Sequence, residues 1–269
     1  MTSTRNGPVP ILMYHAVAHS PARAAYGLSV APDAFADQME LLAELGRTPV
    51  TTAQLAHAWR TAGALPRRPV LITFDDGYEG VHRHALPVLA RYGFASTLFV
   101  TTGWLRGAHD EGGALDTMLD WDQVRRLAAA GAEIGGHSHS HPQLDQLPDE
   151  RLWSETVRCR EILTEQLGRP PSSFAYPYGY STRRVRRTVR SAGFGQALAV
   201  GNALARRRQG PYALERVTVR RETGLDEFER LVVGTDRDIA RTFIGDRVLT
   251  KGYALVRGAR RAGRGLGGP

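Results

Sequence analysis

The chain has a single cysteine, Cys159, in 269 residues. This excludes a disulfide framework and a cysteine-ligated zinc site. Cys159 lies in a helical-looking run between Arg158 and Arg160, and nothing else beside it would activate a thiolate, so a nucleophilic role is not indicated. No apolar run approaches the roughly 20 residues needed to span a bilayer. The polar residues Met1 to Pro8 lead directly into Val9-Pro-Ile-Leu-Met-Tyr14, too short for the apolar core of a secretion signal with its cleavage site. The expectation is therefore a cytoplasmic protein. Acidic residues end at Asp246. Of the net charge of +8, six positive charges lie from Arg247 onward, which leaves +2 for the body. Glycines at 252, 258, 263 and 265 make that tail a poor amphipathic helix. It reads as solvated, or as an electrostatic contact that leaves the protein peripheral to an anionic membrane; nucleic acid is not an expected partner. Nothing in the pattern indicates an oligomeric state.

What is present is an alternation of short apolar runs and helical periods. Apolar, β-prone stretches occur at 9–14, 70–74, 95–101, 133–136, 173–175, 195–200 and 212–220, with a short one at Val50. Between them, helical spacing covers 32–45, 52–59, 78–92, a segment beginning at Trp121, 149–167 and 182–192, and a last helix covers 225–233. Asp120 and Gln123 have the spacing of a reciprocal cap, and Thr52 is placed to cap the second helix. Strands alternating with helices predict an α/β fold with a mainly parallel sheet, and the count suggests a barrel. The weak boundary near Gly234 divides a domain over 1–235 from a basic tail over 236–269.

The chain is organised around Leu71-Ile-Thr-Phe-Asp-Asp-Gly-Tyr78, a buried strand ending in two adjacent carboxylates. Side chains alternate along a strand, so both reach one cavity only where it ends and turns, at Gly77. Paired carboxylates repel, and a bound cation would hold both ionised. The plain alternative is a solvated turn, which Asp-Asp-Gly often forms. A second strand end carries His137-Ser-His-Ser-His141, whose outer histidines are four apart, a spacing that lets two imidazoles face one ion from a single turn. His139 would then point elsewhere. With Asp76, His137 and His141 make a two-histidine, one-carboxylate set with open positions, as a catalytic Zn²⁺ site requires. Asp75 is then free to act as general base. His15, past the first strand, is either the proton donor to the leaving group or a residue hydrogen-bonding backbone beneath the site.

Thr73-Phe-Asp-Asp-Gly77, His137-Ser-His-Ser-His141 and Tyr176-Pro-Tyr-Gly179, in this order, resemble the first three motifs of the polysaccharide deacetylases, the NodB-homology group of carbohydrate esterases (family 4). The resemblance runs from about Pro10 to Arg220. It implies a distorted (β/α) barrel of about seven parallel strands and metal-dependent removal of acetyl from an N-acetylated sugar. Carried over, Asp75 is the base, Asp76, His137 and His141 are the metal ligands, and the backbone N–H of Tyr178 helps stabilise the oxyanion. Two departures stand out. Ala175 occupies the place of the arginine that usually orients the base, and the late acid histidine is missing, since no histidine follows His141. Both losses occur with Met13-Tyr-His15 near the N-terminus, a pattern similar to the poly-N-acetylglucosamine deacetylase branch, with His15 in the acid's place.

The expectation is thus a deacetylase of an N-acetylhexosamine-containing glycan or glycolipid, using Zn²⁺ or another divalent metal such as Co²⁺ or Ni²⁺. The alternatives are a hydrolase of another amide or an O-acetyl ester on the same metal site, and a metal-dependent glycan-binding protein without turnover. Trp104, Trp121, Tyr176 and Tyr178 offer aromatic faces either to a sugar ring or to packing.

Overall fold

The computed structural model describes residues 7–19, 27–105 and 117–243. The C-terminal stretch from 244 and most of the segment between the 95–101 strand and Trp121 lie outside the described residues. In chain order the elements are β1 (Ile11–Tyr14), β2 (Ala16–Val17), β3 (Ser29–Val30), α1 (Pro32–Glu44), β4 (Thr48–Pro49), α2 (Thr52–Thr61), β5 (Pro69–Phe74), α3 (Leu86–Tyr92) and β6 (Thr97–Val100). Then follow α4 (Trp121–Ala129), β7 (Glu133–Gly136), α5 (Asp149–Leu167), β8 (Ser173–Ala175), α6 (Arg183–Ser191), β9 (Gln196–Leu198), β10 (Val217–Thr218), α7 (Leu225–Val233) and α8 (Asp236–Thr242).

The main sheet runs β10-β1-β5-β6-β7-β8-β9, with β4 beside the start of β5. Every pair is parallel. Seven strands curl into a half-barrel of the NodB-homology type. Period two sorts the strand residues. Leu12 and Tyr14 of β1 and Val70, Ile72 and Phe74 of β5 pack outward under the helices, while Ile11 and Leu71 join Phe99, Ala175, Leu198 and Leu214 inside, closed below by Leu55 and Trp59 of α2. Parallel strands are covered on both faces, hence their nearly continuous apolar runs.

Register sets the rim. Tyr14 pairs with Phe74, so His15 and Asp75 emerge side by side. Gly136 pairs with Val100 and with Phe174, so His137 emerges level with Ala175. The strand expected over 212–220 shrinks to β10 because the chain changes partner within it. Leu214 bridges Leu198 of β9, while Val217 and Thr218 pair with Leu12 and Met13 of β1. Arg216 sits between the two.

Helix α5 has the bounds expected, and Asp120 and Gln123 cap α4 reciprocally. The cap of α2 falls one residue earlier than expected. Thr51 accepts from the Gln54 N–H, and Thr52 turns inward to Thr97. The helix expected over 78–92 is split into a π-helical turn, Val81–Ala85, followed by α3. Pro87 has no N–H to continue the regular ladder, which accounts for the change of pitch. Helix α8 lies beyond the boundary placed at 235. Its Ile239, with Phe243, packs on Leu204, Val217 and Leu231, and Asp236 pairs with Arg206.

Candidate active site

The rim site is assembled by residues held in left-handed backbone. Leu71, Thr73 and Asp75 share the inward parity of β5. Asp76 would face outward, but its φ of 74° turns it back beside Asp75. Such a conformation is uncommon outside glycine, and aspartate is among the residues that tolerate it. Thr101 donates to the Asp76 carbonyl and Leu119 to that of Gly77, which fixes the turn.

The two histidines meet Asp76, though not through a helical turn. Ser138 and His141 have φ of 65° and 59°, and the loop folds back on itself to bring the rings together. His137 Nε2 lies 3.4 Å and His141 Nε2 3.3 Å from Asp76 Oδ1. Glu155 of α5 pins the loop, accepting from the N–H groups of His139 and Ser140 at 3.0 and 2.8 Å and from the Ser140 hydroxyl at 2.6 Å. Ser138 Oγ accepts from the His141 N–H. His139 lies beside Thr102, away from the cluster, as expected. Glu155→Ala is expected to lower zinc affinity about 10- to 100-fold, with a stability loss of about 1–3 kcal/mol from the unsatisfied N–H groups. Zinc titration and thermal unfolding check this, and unchanged affinity would leave the loop self-supporting.

These donor atoms fit a divalent ion. One ligand atom each from Asp76, His137 and His141 lies within 4.8 Å of the others. Asp76 Oδ1 is buried without a hydrogen-bond partner. His137 Nδ1 lies 2.8 Å from the Ala175 carbonyl. A carbonyl only accepts, so the ring proton sits on Nδ1 and the Nε2 lone pair faces the cluster. His141 lies between Trp104 and Tyr178, whose rings are tilted against it with centroids 4.6 and 4.7 Å away. That burial, opposed by Asp76, lowers its pKa to about 4, which leaves the imidazole neutral and able to ligate. Burial lowers the pKa of His137 as well, but Asp75 and Asp76 outweigh it and raise the net value. The same pull acts on any cation placed there.

Asp75 stands apart from this set. Its Oδ2 is 3.9 Å from His137 Nε2. Both its oxygens are gripped by Arg216, at 2.6 Å from Nη1 to Oδ1 and 2.7 Å from Nη2 to Oδ2. Burial would raise the Asp75 pKa, but Arg216 and His137 outweigh it, and the carboxyl stays ionised. Arg216 is fully buried, lies over the Phe99 ring and also donates to the Ala199 carbonyl and Thr73 Oγ1. Sequence reasoning missed it. Its only local signal is an arginine, next to Glu215, within the mainly apolar run 213–219.

His15 is partly buried at the end of β1, and its Nδ1 has no partner. Burial lowers its pKa against the pull of Asp76 and Asp75, so it lies within their field. Tyr178 occupies a left-handed turn (φ 59°) at the rim with its ring half exposed. After it, Gly179 (φ 74°) is obligatory, since a Cβ there would meet Val200 at 2.5 Å. Of the four aromatics, Trp104 and Tyr178 border the cluster. Tyr176 is buried and donates to the Tyr212 carbonyl, and Trp121 packs against the core.

A parallel α/β half-barrel that gathers an Asp/His/His cluster and a separately clamped carboxylate at its C-terminal rim defines a class of hydrolytic scaffold. The chain belongs to the polysaccharide deacetylase family, whose model, described as Polysaccharide deacetylase, matches residues 62–197. The homologues are named as deacetylases, hydrolases acting on carbon–nitrogen bonds other than peptide bonds. The protein YxkH of Bacillus subtilis (strain 168) is 26% identical over 211 residues, which cover 78% of this chain and 71% of that one. A poly-beta-1,6-N-acetyl-D-glucosamine N-deacetylase of Escherichia coli (strain K12) is 24% identical over 77% of this chain, which spans 36% of that protein's length. Among solved structures, IcaB from Ammonifex degensii superposes with a TM-score of 0.72 at 28% identity, covering 84% of this chain and 96% of that one.

Proposed function

We propose that the chain hydrolyses the N-acetyl groups of an N-acetylhexosamine-containing glycan or glycolipid, with a divalent ion held by Asp76, His137 and His141. The observation that carries this reading is the orphaned Asp76 oxygen facing two imidazole nitrogens, with a second, ionised carboxylate beside them. When bound, Zn²⁺, Co²⁺ or Ni²⁺ would polarise the amide carbonyl and acidify a neighbouring water. Asp75 accepts the proton of the attacking water as it adds to the carbonyl carbon. The Tyr178 N–H donates to the oxygen that becomes negative. His15 in its protonated form donates a proton to the amine nitrogen as the C–N bond breaks, which releases acetate and a free amine. The water proton held by Asp75 then restores protonated His15 by exchange with solvent. The similarity to poly-N-acetylglucosamine deacetylases supports a GlcNAc-type substrate.

A non-catalytic glycan receptor would rest on Ala175 and on the lack of a histidine after His141. Arg216 and His15 supply from other strands the groups those positions lack, which favours turnover. Chelation is expected to abolish acetate release from N-acetylglucosamine oligomers, and added Zn²⁺, Co²⁺ or Ni²⁺ to restore it. Acetate release that survives chelation removes the metal from the reaction. Faster release from O-acetyl than from N-acetyl sugars would move the assignment to an esterase.

A further inference from the structure

The near-neutral sum for residues 1–246 conceals a strong segregation of charge. Between Ser181 and Leu214 there are five arginines on α6 and three more at 206–208, with no aspartate or glutamate. That stretch alone carries the whole chain's net charge of +8, so the body outside it, the tail apart, is net acidic. Arg206 is neutralised within the fold by Asp236, and the exposed positive charge lies along α6. Arg183, Arg187 and Arg190 are exposed on α6 and pair with no acidic side chain among the described residues, whereas Arg184 is used internally by Asp149. Val185 and Val189 bury the opposite side of the helix. Beyond its C-terminal end, Tyr212 feels the charge of both Arg190 and Arg60, and Arg60 and Arg207 border one cleft with Pro211. On the other flank Trp153 of α5, 46% exposed, lines an open groove of about 430 Å³ with Arg187 and with the Arg184–Asp149 ion pair, whose charges offset each other.

We infer that this arginine face docks the protein on an anionic phospholipid membrane. The cations spread across a helix, a turn and Arg60 of α2 rather than lining one channel, as suits a plane of phosphodiesters. An exposed tryptophan beside arginines suits the headgroup layer. No helix among the described residues is long and apolar enough to cross a membrane, so the contact is peripheral. The face does not fit the product of the proposed reaction, since an amino sugar is itself cationic. That last clause alone rests on the proposed function. With the rest of the body net acidic, attraction also orients the molecule, arginine face toward the surface.

The test is co-sedimentation of the full chain with phosphatidylcholine vesicles, with and without phosphatidylglycerol. Binding is expected only to the anionic vesicles and is expected to weaken with salt. Each exposed arginine is worth about fivefold in affinity, so Arg183→Gln, Arg187→Gln and Arg190→Gln together lower it about a hundredfold. Arg187→Gln alone gives the fivefold step should the triple variant fold poorly. Truncation after Asp246 is expected to leave arginine-dependent binding in place. Three outcomes overturn the inference: no binding to anionic vesicles, binding unaffected by the arginine changes and abolished by the truncation, or tighter binding to duplex DNA than to the vesicles. Acetate release from a soluble oligosaccharide stays unchanged in the triple variant, which separates a failure here from a failure of the proposed reaction.

Discussion

Asp75→Asn is expected to lower kcat between about a hundredfold and ten-thousandfold, the range for loss of a positioned general base. Metal content should be retained, because Asp76, His137 and His141 supply the cluster without Asp75. The substitution has a second consequence, since it leaves the fully buried Arg216 guanidinium without its counter-charge. Removing one member of a buried ion pair typically costs about 3–5 kcal/mol. Activity must therefore be read well below the variant's unfolding temperature and alongside its zinc content. A folded, metal-loaded Asp75→Asn protein with a kcat within about tenfold of the parent would remove Asp75 from the proton transfer.

Arg216→Met is expected to destabilise the protein by a similar amount, about 3–5 kcal/mol, or about 6–20 °C in Tm for a domain of this size. Arg216 contacts Asp75 rather than the space where substrate would sit, so it is a positioning residue. The loss should therefore fall on kcat and leave KM nearly unchanged. Arg216→Lys keeps the charge and loses the planar two-point grip on the carboxylate. It should recover much of the stability and less of the kcat. Combining Asp75→Asn with Arg216→Met should cost much less than the two separate losses added, because each single change strands the other's charge. Additive losses, or an Arg216→Met protein with parental kcat, would show that the clamp does not set the base.

The Asp/His cluster and the residues beside it were legible because ionisable side chains interrupt the pattern at strand ends. Asp75, Asp76, His137, His141 and His15 all follow apolar runs whose alternation marks them as strands. The local geometry was less legible. The spacing of His137 and His141 suggested a helical turn, but a bent loop with two left-handed residues and a Glu155 anchor brings them together. Glu155 left a faint trace, since it interrupts the apolar stripe of α5 formed by Leu152, Cys159 and Leu163. The segment 212–220 read as a strand because its apolar content is the same whichever neighbour it pairs with. Its change of partner is set by the closing of the sheet.

Arg216 shows where sequence reasoning stops. It is separated by 141 residues from the carboxylate it grips, in a chain with many arginines, and its place in a mainly apolar run does not say which carboxylate it meets. The arginine face was hidden for a related reason, because a net charge sums over the chain and does not say which side of the barrel each charge occupies. The amino-acid sequence by itself determined the alternation of strands and helices and the kinds of atom at the strand ends, since hydrophobic period and turn chemistry act between near neighbours. Only the tertiary structure decided which buried cation faces which buried anion, because a charge inside the barrel is tolerated only where the whole fold brings its partner within hydrogen-bonding distance.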